Sequence, residues 1–136
     1  MIDRQKFNDL FNNFNKEFVV EIIDIFLSEY DERFRKLHKN VEEKDFVNLK
    51  FNAHTLKGVV GNFHDPVTNE IAIKFDEMAT TIVDFYYPET TALSKKVDEM
   101  TEKKKEAELP QVYYNLEKNM LRLVEELKII RKEFSA

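Results

Sequence analysis

A chain of 136 residues, 43% hydrophobic and 35% charged, fits one globular domain spanning 1–136. Its net charge of −5 argues against general nucleic-acid binding, and its lack of cysteine excludes a disulfide framework, thiol catalysis and Cys-ligated zinc. No apolar run approaches the roughly 20 residues that span a bilayer, and no signal segment follows the first six residues, so a cytoplasmic setting without membrane contact is expected.

Two glycines and three prolines are few for a sheet protein, which spends such residues on turns, so a few long helices are expected. The opening helix is predicted over about residues 3–13, with Phe7, Leu10, Phe11 and Phe14 on one face. A long second helix is predicted over about 15–42. Its stripe is Val19, Ile23, Phe26, Tyr30, Phe34, Leu37 and Val41, widened by Ile22, Ile25 and Leu27. The third, over about 45–63, repeats by threes and fours through Phe46, Leu49, Ala53, Leu56, Val60 and Phe63. Asp65-Pro66 reads as a cap and first turn, and the fourth helix follows with Val67, Ile71, Phe75, Met78, Ile82 and Phe85 inward. In 86–109, Pro88 breaks the pattern, Leu93, Val97 and Met100 suggest a short amphipathic helix, and the charged run Glu102 to Glu108 reads as solvated. Pro110 is expected to open the last helix, whose stripe is Tyr113, Leu116, Met120, Leu123, Leu127, Ile130 and Phe134. The expected fold is all-α: an antiparallel four-helix bundle with an extra N-terminal helix and a long connection before the last helix.

Both glycines fall inside the third helix, in Ala53-His54-Thr55-Leu56-Lys57-Gly58-Val59-Val60-Gly61-Asn62-Phe63. Each costs about 1 kcal/mol relative to alanine in a helix interior, so something other than helix stability favours them. At about 100° per residue, the core stripe averages roughly 130° from His54, which puts the imidazole on the outer face. Val47, Lys50, Phe51, Lys57, Gly58 and Gly61 share that face. An apolar rim around a reactive group marks a docking site, and here Val47, Lys50, Phe51, Gly58 and Gly61 are the docking candidates. His54 is the candidate phosphoryl acceptor, with the Lys57 cation one turn along.

The segment Ala53-His54-Thr55-Leu56-Lys57-Gly58 resembles the signature of the histidine-containing phosphotransfer (HPt) domain family: a helical His followed by apolar-Lys-Gly, often after Ala. Gly61 matches a small residue one turn further on. Phe26-Leu27-Ser28-Glu29-Tyr30 through Asp45-Phe46 is similar to the preceding helix and turn, and Phe75-Asp76-Glu77-Met78-Ala79 to the following helix. The resemblance covers most of 15–85. One departure is His64, where many members have glycine. The resemblance implies a covalent phosphoryl carrier of a multistep phosphorelay. His54 would take the group from a receiver-domain aspartate and pass it to another, through its more extended Nε2, while Lys57 stabilises phosphoryl charge. The implied partners are receiver domains of a hybrid sensor kinase and of a response regulator. No cofactor is implied on this chain, and magnesium is expected on the receiver. The carrier is expected to be a monomer. Asn69 and Lys74 are both candidates for holding the other ring nitrogen.

No Gly-rich nucleotide loop exists, so neither ATP binding nor autonomous kinase activity is expected. The residues three before His38, His54 and His64 are Arg35, Phe51 and Gly61, so the Glu-x-x-His pairs of di-iron bundles are missing and no metal site is expected. The competing reading is a non-catalytic helical module that docks receiver domains without phosphotransfer.

Overall fold

Asp and Asn residues set the helix starts. Asp3, Asn15, Asp45, Asp65 and Asp98 each accept, through the side chain, from the backbone N–H three residues on. This satisfies one of the donors that a helix N-terminus leaves without a partner. The computed structural model describes residues 1–12, 14–88 and 97–135. Behind those caps run α1 (Arg4–Phe11), α2 (Lys16–Glu43), α3 (Phe46–Val60), continued by a 3₁₀ turn at Gly61–Phe63, α4 (Pro66–Tyr86) and α5 (Glu99–Ser135). The described residues are all-α.

α2, α3, α4 and α5 form the bundle: α3 packs against α2 and α4, and α5 closes the ring against α4 and α2. The apolar stripes meet inside, where Ile23, Leu37, Leu49, Leu56, Phe75, Ile82, Leu116 and Leu127 are fully buried. Phe63 meets Phe26 edge to face, with ring centroids 5.0 Å apart. α1 lies over the end of the bundle. Its Phe7 and Phe11 are buried, Phe7 contacts Phe134, and Arg4 forms a two-pronged ion pair with Glu133 at 2.9 Å.

Among the described residues, two turns pass through the left-handed backbone region at residues other than glycine: Lys44 and His64, each with φ 55°. His64 terminates the 3₁₀ turn, and its carbonyl accepts from the Asp3 N–H at 2.6 Å. The chain therefore takes at His64 the conformation that glycine adopts most cheaply.

The predicted elements need several corrections. Pro110 does not open the last helix; it lies inside α5, which starts at Glu99 behind the Asp98 cap. Val97 precedes that helix, Met100 is exposed within it, and Leu93 lies outside the described residues. The charged run is not uniformly solvated, because Glu102 is fully buried. Leu10, Phe14, Ile25 and Val67, expected inward, are exposed at the edges of their stripes, while Asn40 is buried and accepts from the Asn52 amide at 2.8 Å. No helix among the described residues is long and apolar enough to cross a membrane.

Candidate functional site

α3 turns one face to the core through Leu49, Ala53, Leu56 and Val60 and leaves the other uncovered. His54 stands on the uncovered face with its side chain 71% exposed. Phe51 is exposed to the same degree, 71%, and Val47 to 52%, so neither belongs to the core. Lys50 is half-buried beside them. Val47, Phe51, His54, Gly58 and Gly61 step by fours and threes, which places them in one row along the helix.

The glycines continue that row as bare backbone. A methyl group built at Gly58 would meet nothing within 4 Å, and one at Gly61 would make only an ordinary contact with Asn69 Oδ1 at 3.9 Å. Packing among the described residues therefore demands neither glycine. Alanine at Gly58 would favour the helix, so this glycine is a local cost that packing does not explain.

α4 supplies the rest of the site. Ala72, Asp76, Ala79 and Val83 follow one another by fours and threes and are all buried. Small residues either side of Asp76 let α3 come close enough for a short carboxylate to reach across. Its Oδ2 lies 2.9 Å from Lys57 Nζ and 3.4 Å from His54 Nδ1, and its Oδ1 is buried without a hydrogen-bond partner among the described residues. One carboxylate thus touches both the candidate acceptor and the candidate cation.

Asp76 is the residue that the sequence reading missed. Neither Asn69 nor Lys74 is the group at the His54 ring nitrogen. Lys74 is exposed on α4, and Asn69 lies nearer Gly61. The available signal was a lone carboxylate set between alanines on the face of α4 that also carries Val83. Chemically, the cluster offers an imidazole with one nitrogen against an anion and the ring open to solvent. Among the described residues, no group of three or more His, Asp or Glu side chains is arranged to hold a metal ion.

A family model described as Hpt domain matches residues 21–82, a span that contains His54, Lys57 and Asp76. No curated protein and no solved structure matches the chain.

Proposed function

The chain carries an Hpt domain, a phosphotransfer module of phosphorelay signalling, and from that premise we propose that His54 is its phosphoryl carrier. In this reading His54 accepts the group from an aspartyl phosphate on the receiver domain of a hybrid sensor kinase and delivers it to a response regulator. Hpt domains carry phosphoryl groups between receivers rather than drawing them from ATP. The observation that supports the reading best is the exposed imidazole whose Nδ1 faces the buried Asp76 at 3.4 Å.

That contact assigns work to each ring nitrogen. With the Nδ1 proton donated to Asp76, the lone pair resides on Nε2, the more extended atom. Nε2 attacks phosphorus, the N–P bond forms, and the P–O bond to the receiver aspartate breaks, releasing a carboxylate. The ring acquires positive charge as it bonds to phosphorus, and Asp76 offsets that charge without taking the proton. Lys57 is anchored to the same carboxylate at 2.9 Å, close enough to the ring for its ammonium to meet the phosphoryl oxygens. Phosphoryl transfer depends mainly on positioning and charge stabilisation, and these groups supply both. Val47, Lys50, Phe51, Gly58 and Gly61 form the face that receives the partner, with magnesium on the receiver.

The test is to mix the protein with phosphorylated receiver domains and measure labelling of wild type and His54→Gln. Complete loss of label in a variant that still melts like wild type is expected. A variant that still accepts the group would move the acceptor elsewhere. Wild type that binds receivers but is never labelled would leave only a docking module.

A further inference from the structure

Glu102, in the first turn of α5, is fully buried, and among the described residues neither of its carboxylate oxygens meets a hydrogen-bond donor. The group that faces it is the Glu106 carboxylate, one turn along the same helix, which as an anion can only accept. Other charges nearby favour Glu106. Lys44, from the turn between α2 and α3, lies 3.6 Å from Glu106 Oε1, and the Tyr86 hydroxyl of α4 donates to Glu106 Oε2 at 3.3 Å. Lys103 reaches Glu102 only at 3.9 Å with its own side chain mostly in solvent, and Glu99 adds negative charge. The pair lacks one proton: placed on Glu102, it would be donated to Glu106 and would satisfy both groups.

The same stretch has a built-in joint. Pro110 has no N–H to give the Glu106 carbonyl, so the α5 backbone ladder is interrupted there. Beyond Pro110 the helix is held by Val112, Tyr113, Leu116 and Met120, all buried, whereas before it Leu109, next to the proline, is buried in the core and Glu106 makes the polar contacts to α4 and the α2–α3 turn.

We propose that residues 99–109 are a proton-controlled strap, docked while Glu102 carries a proton shared with Glu106 and released about Pro110 when that proton is lost. Burial first, and then the bond to Glu106, push the Glu102 carboxyl up to about 7. Glu106 is held below its ordinary value, chiefly by that same bond. The switch therefore operates near neutrality. The strap also matters to its neighbours. Lys103 and Glu106 form the α5 wall of a cleft of about 470 Å³ whose other walls include Phe46, Val47 and Tyr86. Release removes that wall beside Val47, at the end of the row that carries His54. The device itself does not depend on the phosphotransfer reading.

The test uses the whole chain, labelled at the glutamate carboxyl carbons, in an NMR titration from about pH 5 to about pH 9, with amide exchange measured in parallel. The Glu102 carboxyl is expected to titrate near neutrality. Below that midpoint, as pH rises from about 5, the protection of 99–109, corrected for the intrinsic pH effect, should fall about tenfold per pH unit and level off above the midpoint, while the core of α3 and α4 holds. Glu102→Gln, which keeps a donor without an ionisation, should stay protected throughout. A Glu102 carboxyl that titrates in the ordinary carboxylate range overturns the proposal, whether or not the variant folds. So does an unchanged protection step in Glu102→Gln.

Discussion

At the N-terminal end of α4, Asp65 is fully buried and every side-chain contact it makes is to a donor: the Thr68 N–H at 3.2 Å, the Thr68 hydroxyl at 2.9 Å, Arg122 at 3.3 Å and the Met1 amine at 3.4 Å. Near the C-terminal end of α4, Glu102 is equally buried, has no hydrogen-bond donor among the described residues, and is set against a second carboxylate. The two groups have the same chemistry and the same exposure, so burial alone does not decide what a carboxylate does for a fold. The supply of donors decides it. Asp65 ties α4 to α1 and α5 under all conditions in which its partners persist, whereas Glu102 ties α5 to α4 only while it holds a proton.

Removing each group should separate these roles. Asp65→Ala deletes a helix cap and leaves the Arg122 guanidinium and Thr68 without their partner. With Arg122 partly in solvent, the cost should be about 3 kcal/mol in chemical denaturation. Asp65→Asn keeps a good cap and should lose about half as much. An Asp65→Ala loss below about 1 kcal/mol would break the comparison, because the satisfied end would then be no tighter than the other.

The Glu102 end should reveal itself through pH. The folded state raises this carboxyl from 4.5 to about 7, so folded protein binds the proton more tightly than unfolded chain. Its contribution is therefore fully present below pH 4.5 and is lost as pH rises from 4.5 to about 7. Glu106, held below its ordinary value, acts in the opposite sense at the acid end. Denaturant midpoints measured across this window should decline in wild type and level off in Glu102→Gln. A parallel decline in both proteins would assign the slope to other groups.

How much of this was legible in the sequence follows the same division. The α2, α3 and α4 stripes could be read because apolar residues recur at helical spacing with no competing signal, and the outward direction of His54 follows from the Leu49–Ala53–Leu56–Val60 row. The Asp65 cap was visible beside Pro66. Glu102 was not, since one buried glutamate looks like its solvated neighbours in a charged run, and the Glu106 beside it is engaged by Tyr86 and Lys44, which are distant in sequence. Pro110 misled for a related reason: proline in a first turn is the common case, and only the Asp98 cap and the burial of Leu109 reveal a helix already under way. Asp76 needed the α3–α4 packing before its reach to His54 and Lys57 could be seen.

Glu102 is a local cost once its proton is gone, and Gly58 is a local cost at any pH, so the comparison extends to α3. No described residue fills the space beside Gly58, and Gly58→Ala should stabilise the fold by up to about 1 kcal/mol. The same methyl stands one turn from His54 on the docking face, so transfer from a receiver should slow about tenfold or more. Stabilisation with unchanged transfer would show that the bare backbone serves no partner, and a loss of stability would contradict the open space.

The smallest effect belongs to the satisfied end. His64 immediately precedes Asp65 and holds φ 55°, a region in which side chains with a Cβ are strained. The strain persists because the network fixes the chain on both sides: the Asp3 N–H bonds to the His64 carbonyl at 2.6 Å, and Asp65 is locked by its donors. His64→Gly relieves the strain but adds freedom to the unfolded chain, so the net gain should be about 0.5–1 kcal/mol in denaturant midpoint. Glycine at His64 leaves the carbonyl bond to Asp3 intact, so phosphotransfer should be unaffected. In an Asp65→Ala background the turn is no longer held, and the gain should shrink. A full gain there would mean that the left-handed turn is imposed by the 3₁₀ segment itself rather than by the carboxylate behind it.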